Sequence, residues 1–576
     1  MFAGPIFARE ARVAPRSIKH FLIRIGYIGA LFLLLYTASQ TTFGWQEVSN
    51  IGEISRFGTL VFQLVSTVQL CLVMFFALLF CASNVSQEKD GRTLLLLLMT
   101  DMKSRELVLG KLFSSLLIVA VLIGASAPVF FLIQQMGGVT TDQILWVLLL
   151  CLAAAFTAGS WSTLIAYWRD KTFQTLAISV MGAGLFIAIL EIVTALLGEN
   201  STAGQYVALF DPFRALFQIL DPFTVSAQGQ LVALKPVLAL TGLGIVLNLI
   251  TSYKLRKWNP SRFVYLAAKE KSDEIIPGRT KHRAVWDNPI LWREICTRAY
   301  GRKIALIKVV YIAIAVYVGY IFYDSAFHPE QQSLIMGLIS FPGLMFVGLA
   351  LLSLILINAQ AVTALTNERD GLTLELLLVT DVSPREFIFG KLGGILFNTK
   401  ELVVLPVVLL GYVYYLRGLE FEQVLFTSLG FLVLVLFAAM LGLHSGFSYD
   451  RTRQSIAASL GTMFFLFIGI FIFMILLVEA RGSFILQIPS FLVFILAGGI
   501  GLGTTLTNKN PSIALTMAAG VLPFLTFYAI TEFLLAGTLG VCLAIVGAYG
   551  FATVAMMIPA ISEFDVALGR SAHDKS

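Results

Sequence analysis

Long apolar runs separated by short polar stretches dominate this chain. A run that crosses about 30 Å of hydrocarbon needs roughly 20 helical residues. Runs of that size lie near 21–40, 58–82, 112–134, 144–167, 174–197 and 236–254, and then near 305–323, 333–358, 392–414, 424–447, 455–478, 484–505, 512–531 and 537–560. The pattern predicts six spans followed by eight: an all-α polytopic membrane protein of about 14 spans, with about 12 as the alternative count. The longest hydrophilic stretch, roughly 254–304, is rich in Lys and Arg and holds Pro260, Pro277 and Pro289. It reads as a cytoplasmic linker (257–287) between a first half, 1–256, and a second, 288–576.

Composition agrees with the pattern. Mean hydropathy is 0.86, 58% of residues are hydrophobic and 13% are charged, where a soluble domain carries nearly twice that charge. The net charge of +6 is sorted by side of the membrane rather than patched, so no nucleic-acid partner is expected. Placing the N-terminus inside leaves only Arg56, Arg214, Lys235, Arg417 and Arg481 outside and Lys400 within a span. Arg570 and Lys575 then put the C-terminus on the cytoplasmic side of a cell membrane, read here as a bacterial inner membrane. The basic N-terminus (Arg9, Arg12, Arg16, Lys19) precedes an apolar run without a small-residue cleavage site, which reads as an uncleaved first span. Five cysteines form no Cys-x-x-Cys pair or Cys/His cluster, so neither a disulfide framework nor a metal site is expected.

One polar stretch occurs twice. The first copy runs Glu88-Lys89-Asp90-Gly91-Arg92-Thr93-Leu94, then Thr100-Asp101, Arg105-Glu106 and Gly110-Lys111-Leu112. The second runs Glu368-Arg369-Asp370-Gly371-Leu372-Thr373-Leu374, then Thr380-Asp381, Arg385-Glu386 and Gly390-Lys391-Leu392. Of the 25 positions from Glu88 to Leu112, 15 are identical in the second copy. Leu matches Leu cheaply in any membrane protein, but matched charges, Gly and Thr need another reason. The same register aligns Asp170-Lys171-Thr172 with Asp450-Arg451-Thr452, and a similar one aligns Pro5-Ile6 and Arg9-Glu10 with Pro289-Ile290 and Arg293-Glu294. The segments around these last residues read as amphipathic helices in the membrane interface. An even number of spans per half makes the repeat parallel, with an extra helix pair near 484–531 in the second half.

The polar stretch follows the second span of each half on the cytoplasmic side. Asp90-Gly91 and Asp370-Gly371 signal turns. Thr93 or Thr373 can then cap a short helix, and Ser383-Pro384-Arg385-Glu386 is a capping box. Gly110-Lys111 and Gly390-Lys391 open the next span, each Lys able to snorkel to the interface. The expectation is a short rigid helix presenting a carboxylate-rich face to a soluble partner.

These residues carry a family resemblance. Glu-x-x-Gly-x-Thr-Leu-x-x-Leu-Leu, a short turn, Arg-Glu and Gly-Lys resemble the membrane subunits of type-two ATP-binding-cassette exporters. In that family six spans form a permease half, and the loop after the second span is a coupling helix that docks into an ATPase subunit. The resemblance implies coupling roles for Glu88, Asp90, Gly91, Thr93, Asp101, Arg105 and Glu106. In the second copy it implies them for Glu368, Asp370, Gly371, Thr373, Asp381, Arg385 and Glu386. Asp101 and Asp381 depart from the family, which often has Pro after the turn. It further implies two copies of a cytoplasmic ABC ATPase as partner, with ATP and Mg on that partner and no cofactor in this chain. No Gly-x-x-x-x-Gly-Lys-Ser/Thr phosphate loop occurs, and no segment could hold a nucleotide-binding domain.

Glu191, Lys400, Glu401 and His444 fall within predicted spans. An ionised group facing lipid there costs at least about 2.5–3.5 kcal/mol, so they are candidates for a pathway, against structural pairs, snorkelling or a displaced span end as the plainer readings. An ion-gradient-driven secondary transporter is the alternative function, with Glu191 as its one serious coupling candidate. A membrane enzyme lacks any catalytic constellation in this sequence.

Overall fold

The computed structural model describes the chain apart from residues 1–3, 14–17, 44–50, 91–92, 170–171, 199–200, 222–230, 260–285, 297–303, 328–333, 336–338, 371–373, 375–381, 480–483, 510, 536 and 563–576. The chain divides into two compact units, Met1–Arg279 with Ala480–Phe491, and Thr280–Glu479 with Leu492–Ser576.

In the first unit, α1 (Gly4–Val13) is followed by α2 (Ile18–Phe43), α3 (Ile51–Asp90) and the short α4 (Thr93–Leu98). Then come α5 (Ser104–Gln135), α6 (Thr141–Trp168), α7 (Thr172–Leu197), α8 (Thr202–Ala208), α9 (Pro212–Leu220) and α10 (Leu231–Trp258). Local signals fix several starts. Thr140 accepts from the Gln143 amide and Gln143 reaches back to Thr140, a reciprocal cap on α6. Asp211 caps α9, with Pro212 at its first position.

The second unit repeats this order with α11 (Pro289–Cys296), α12 (Ile304–Phe327) and α13 (Phe341–Asp370). The third span is split into α14 (Pro384–Asn398) and α15 (Lys400–Tyr415), bent by 57°. After α16 (Phe421–Ser448), α17 (Thr452–Phe464) passes through a π-turn at Phe465–Gly469 into α18 (Ile470–Glu479). The chain continues as α19 (Phe484–Leu506), α20 (Ile513–Leu534) and α21 (Thr538–Ser562).

Among the described residues, 12 helices are long and apolar enough to cross a membrane, or 13 with α14 and α15 taken as one bent span. The protein is therefore an all-α polytopic membrane protein. Beyond these, α2 is a further helix, 26 residues long, over the expected first span. The expected run at 333–358 is helical only from Phe341. Before it, Leu334–Ile335 pairs antiparallel with Ile339–Ser340.

Two small cores show how closely the repeat is kept. In the first unit Val85, Leu94, Leu107, Val108 and Tyr167 pack with Leu255, Ile6 and Trp258. In the second, Leu365, Leu374, Phe387, Ile388 and Phe447 occupy the same registers, with Ile290, Ala560 and Ile561. The C-terminal turn of α21 thus stands where that of α10 stands in the first unit. The added pair in the second half is α19 and α20, as the runs near 484–531 led one to expect. Each core gathers the end of its second span, the start of its third, the end of its fourth and an amphipathic helix (α1 or α11). That gathering makes the repeated polar stretch a corner within the fold.

Candidate functional site

The first corner is held from inside. Glu88, near the end of α3, pairs with Lys111 on α5, and both side chains are largely buried. Lys89 turns the other way and donates to the carbonyls of Tyr167 (2.6 Å) and Arg169 (2.9 Å). The last carbonyls of a helix have no partner within it, so this ammonium closes the end of α6 and ties α3 to it. Thr93 donates to the Glu88 carbonyl at 3.3 Å, bending the chain into α4. Beyond α4, the amides of Met99 and Thr100 bond back to Leu96 and Leu97. The Glu106 carboxylate then accepts from the Lys103 amide at 3.1 Å.

The second corner repeats these ties and adds to them. Glu368 pairs with Lys391 at 2.6 Å. Arg369 donates to the carbonyls of Gly446 (3.1 Å) and Tyr449, doing for α16 what Lys89 does for α6. Asp370 accepts from the Thr452 hydroxyl at 2.5 Å. The addition comes from α11. Lys391 also bonds Glu294 at 2.6 Å, and Arg293 bonds both Glu368 and, at 3.3 Å, Glu294. Two cations and two anions cancel, which is the condition for burying charge without a large penalty. Burial pushes the Glu294 carboxyl up, but the Lys391 ammonium and the Arg293 guanidinium outweigh this and hold it below the usual carboxylate range. Glycines admit the close contact: a Cβ on Gly394 would lie 2.5 Å from that of Glu294, and one on Gly390 2.8 Å from the Asn288 side chain. The Asn288 side chain caps α11 by accepting from the Leu291 amide and donates to the Glu386 carbonyl at 2.9 Å. Ser383 and Glu386 form the expected capping box.

This geometry revises two expectations. Glu88 and Glu368 do not face outward; each is an internal tie. Lys111 and Lys391 do not snorkel but answer those carboxylates, and Lys391 is 1% exposed. The outer face of the first corner is instead apolar at its centre, with Leu96 66% and Met99 81% exposed. Asp101 and Arg105 flank it and are also exposed, while Glu106 is half-buried. Arg385 is exposed, and Gly110 and Gly390 are buried. Gly91, Gly371, Thr373, Asp381 and the side chain of Asp90 lie outside the described residues.

The charges expected inside spans each have a separate partner. Arg214 on α9 grips Glu191 near the end of α7 with Nε and Nη2 at 2.7 and 2.6 Å. Lys308 on α12 bonds Glu401 at 2.7 Å, just past the α14–α15 bend. Lys400 lies over the Phe397 ring at 4.7 Å. His444 bonds the Leu506 carbonyl at 2.8 Å and is a tie between α16 and α19. Sequence reasoning missed Lys308 and the Arg214 partnership. Both cations carry charge opposite to a flagged acid, yet lie 93 and 23 residues from it. Among the described residues no cluster of three or more His, Cys, Asp and Glu could hold a metal ion.

The residues and ties together define a multi-pass helical membrane protein built on a tandem repeat with one braced polar corner per unit. No protein-family model matches the chain, and no curated protein matches it either.

Proposed function

We propose that the chain is the membrane-spanning permease subunit of an ATP-driven ABC transporter working as an exporter, with ATP hydrolysed by a separate cytoplasmic ATPase, two copies per permease. One observation carries this reading: the same acid–lysine pair and the same cation-to-carbonyl tie recur at the same register in both units. A loop that only links two spans has no need of such bracing. An element that receives force does, because a corner that yields locally passes nothing on to its spans. Each corner joins the second, third and fourth spans of its unit, so a push on α4 moves them together. Leu96 and Met99, flanked by Asp101 and Arg105, suit a partner cleft with an apolar floor and a charged rim. On this reading the corners and both termini lie on the cytoplasmic side of the cell membrane.

The test is a photo-crosslinking residue placed at Leu96 or Met99 in cells, followed by mass spectrometry of the adducts. A chain bearing a phosphate loop should be trapped, and Asp at the other of the two positions (Met99→Asp with the probe at 96, Leu96→Asp with the probe at 99) should abolish the adduct while leaving insertion unchanged. Adducts with lipid alone would overturn the proposal, as would ATP hydrolysis by the purified chain. The Lys308–Glu401 pair beside a broken span is the one observation that favours an ion-gradient-driven transporter. Proton- or sodium-driven uptake by liposomes without ATP would select that reading.

A further inference from the structure

The end of the first unit away from its polar corner carries a second charged cluster. Asp211 caps α9, its Oδ1 accepting from the amides of Phe213 at 2.8 Å and Arg214 at 3.3 Å. Arg214 reaches back from the first turn of α9 and holds both oxygens of Glu191. Arg214 therefore joins the two acids, its backbone amide on Asp211 and its guanidinium on Glu191. Asp211 is 1% exposed, and its Oδ2 has no hydrogen-bond partner. A buried carboxylate oxygen left bare beside a second carboxylate is unfavourable twice over, through lost hydration and through like charge. Arg214 directs its Nε and Nη2 to Glu191, and its guanidinium is not among the groups that lower the Asp211 carboxyl.

We propose that Asp211 and Glu191 form a proton-binding acid pair that ties α9 to the end of α7. The bound proton sits on Asp211 Oδ2 and is donated to the Glu191 carboxylate, so that Glu191 is held by Arg214 and by Asp211 together. On release, two carboxylates face each other beside one guanidinium and the tie loosens. The surroundings favour the bound state. Burial first, and then hydrogen bonding to Glu191, push the Asp211 carboxyl up to about 6, although the Phe213 and Arg214 amides pull it down. Besides its tie to α7, α9 packs chiefly on α3, α6 and α10. Their charged residues at this end are Glu53 and Arg56, Asp142, and Lys235. None of them is among the groups acting on Asp211. The Gln143 amide donates instead to the Ile219 carbonyl. The pair therefore titrates largely as a unit, independently of the polar corner and of any partner ATPase.

The experiment is infrared difference spectroscopy of the full chain in lipid nanodiscs, titrated between about pH 8 and pH 4. A protonated-carboxyl band should rise with a midpoint near 6. Asp211→Asn should remove it, and Asn caps a helix as well as Asp does, so α9 is retained. Glu191→Gln should lower the midpoint by about one pH unit or more, because the neighbouring negative charge is gone. A wild-type chain with no such band overturns the proposal. So does a band that persists in Asp211→Asn, or one whose midpoint ignores Glu191→Gln.

Discussion

The two polar corners share a plan and differ in one attachment. Among the described residues of the first unit Lys111 answers Glu88 alone, and the acid of the interfacial helix, Glu10, is 40% exposed and pairs with its neighbour Arg9. In the second, Lys391 answers Glu368 and Glu294 at once, and α11 is bound ionically into the corner. The difference separates what the fold requires from what one unit adds. The acid–lysine pair and the capped end of the fourth span are present in both and belong to the corner itself. The ionic link to the interfacial helix is an addition of the second unit.

The largest expected effect is the removal of the shared lysine. Lys391→Met leaves Glu294, 3% exposed, and Glu368 both drawing on Arg293. Stripping one partner from a buried ion cluster costs about 3–5 kcal/mol. Lys111→Met leaves Glu88 with more access to solvent and should cost about half that. Unfolding of the two variants by detergent titration measures the gap, and equal losses would mean that α11 adds nothing. Next come the cation-to-carbonyl ties. Lys89→Gln and Arg369→Gln should each cost about 1.5–3 kcal/mol, the range for hydrogen bonds to a charged group. The two losses should agree to within about 0.5 kcal/mol, because this tie is common to both units. A large inequality would break the claim of a shared plan.

Much of this was legible in the sequence, and the omissions have physical causes. The number and order of helices follow from run length, since a bilayer admits few alternatives for an apolar stretch. The repeat was visible because charges, Gly and Thr matched at fixed spacing, and the position of α19 and α20 followed from it. The direction of Glu88 and Glu368 was misread. A carboxylate in a polar loop suggests solvent, but each has a lysine 23 residues later in both copies, and that paired spacing was the available signal. Glu294 reaching Lys391 could not be read, because 97 residues separate them and their meeting depends on how α11 lies on α14. Gly390 and Gly394 are where α11 comes close, but a glycine in a sequence does not say what approaches it.

Acid separates the second corner from the distal end of the first unit by the sign of its effect. The Glu294 carboxyl is held below its ordinary range, so the stability it lends is present above that range and lost as pH falls through it. Asp211 is shifted the other way. Its proton stabilises the fold fully below the ordinary carboxyl value, and that contribution is lost as pH rises through about 6. Lowering the pH from neutral toward 5 should therefore tighten the α7–α9 end while leaving the second corner unchanged. Further acidification should loosen that corner. Hydrogen exchange of α9 and of α11 followed across this range reads the two separately, and parallel changes would contradict the opposite shifts.

The smallest effect concerns Glu10, the counterpart of Glu294 in the first unit. Glu10→Gln should alter stability by less than about 0.5 kcal/mol, as expected for an exposed pair. Glu294→Gln removes a buried charge from between two cations and should cost about 2 kcal/mol or more. The two substitutions delete the same charge at matched positions of the repeat, so the ratio of their effects measures the added attachment directly. Detergent titration at low and high salt sharpens it further. Salt should erase whatever Glu10 contributes and leave most of the Glu294 effect, since buried pairs are poorly screened. Equal sensitivity to salt would place Glu294 in solvent and remove the distinction between the two corners.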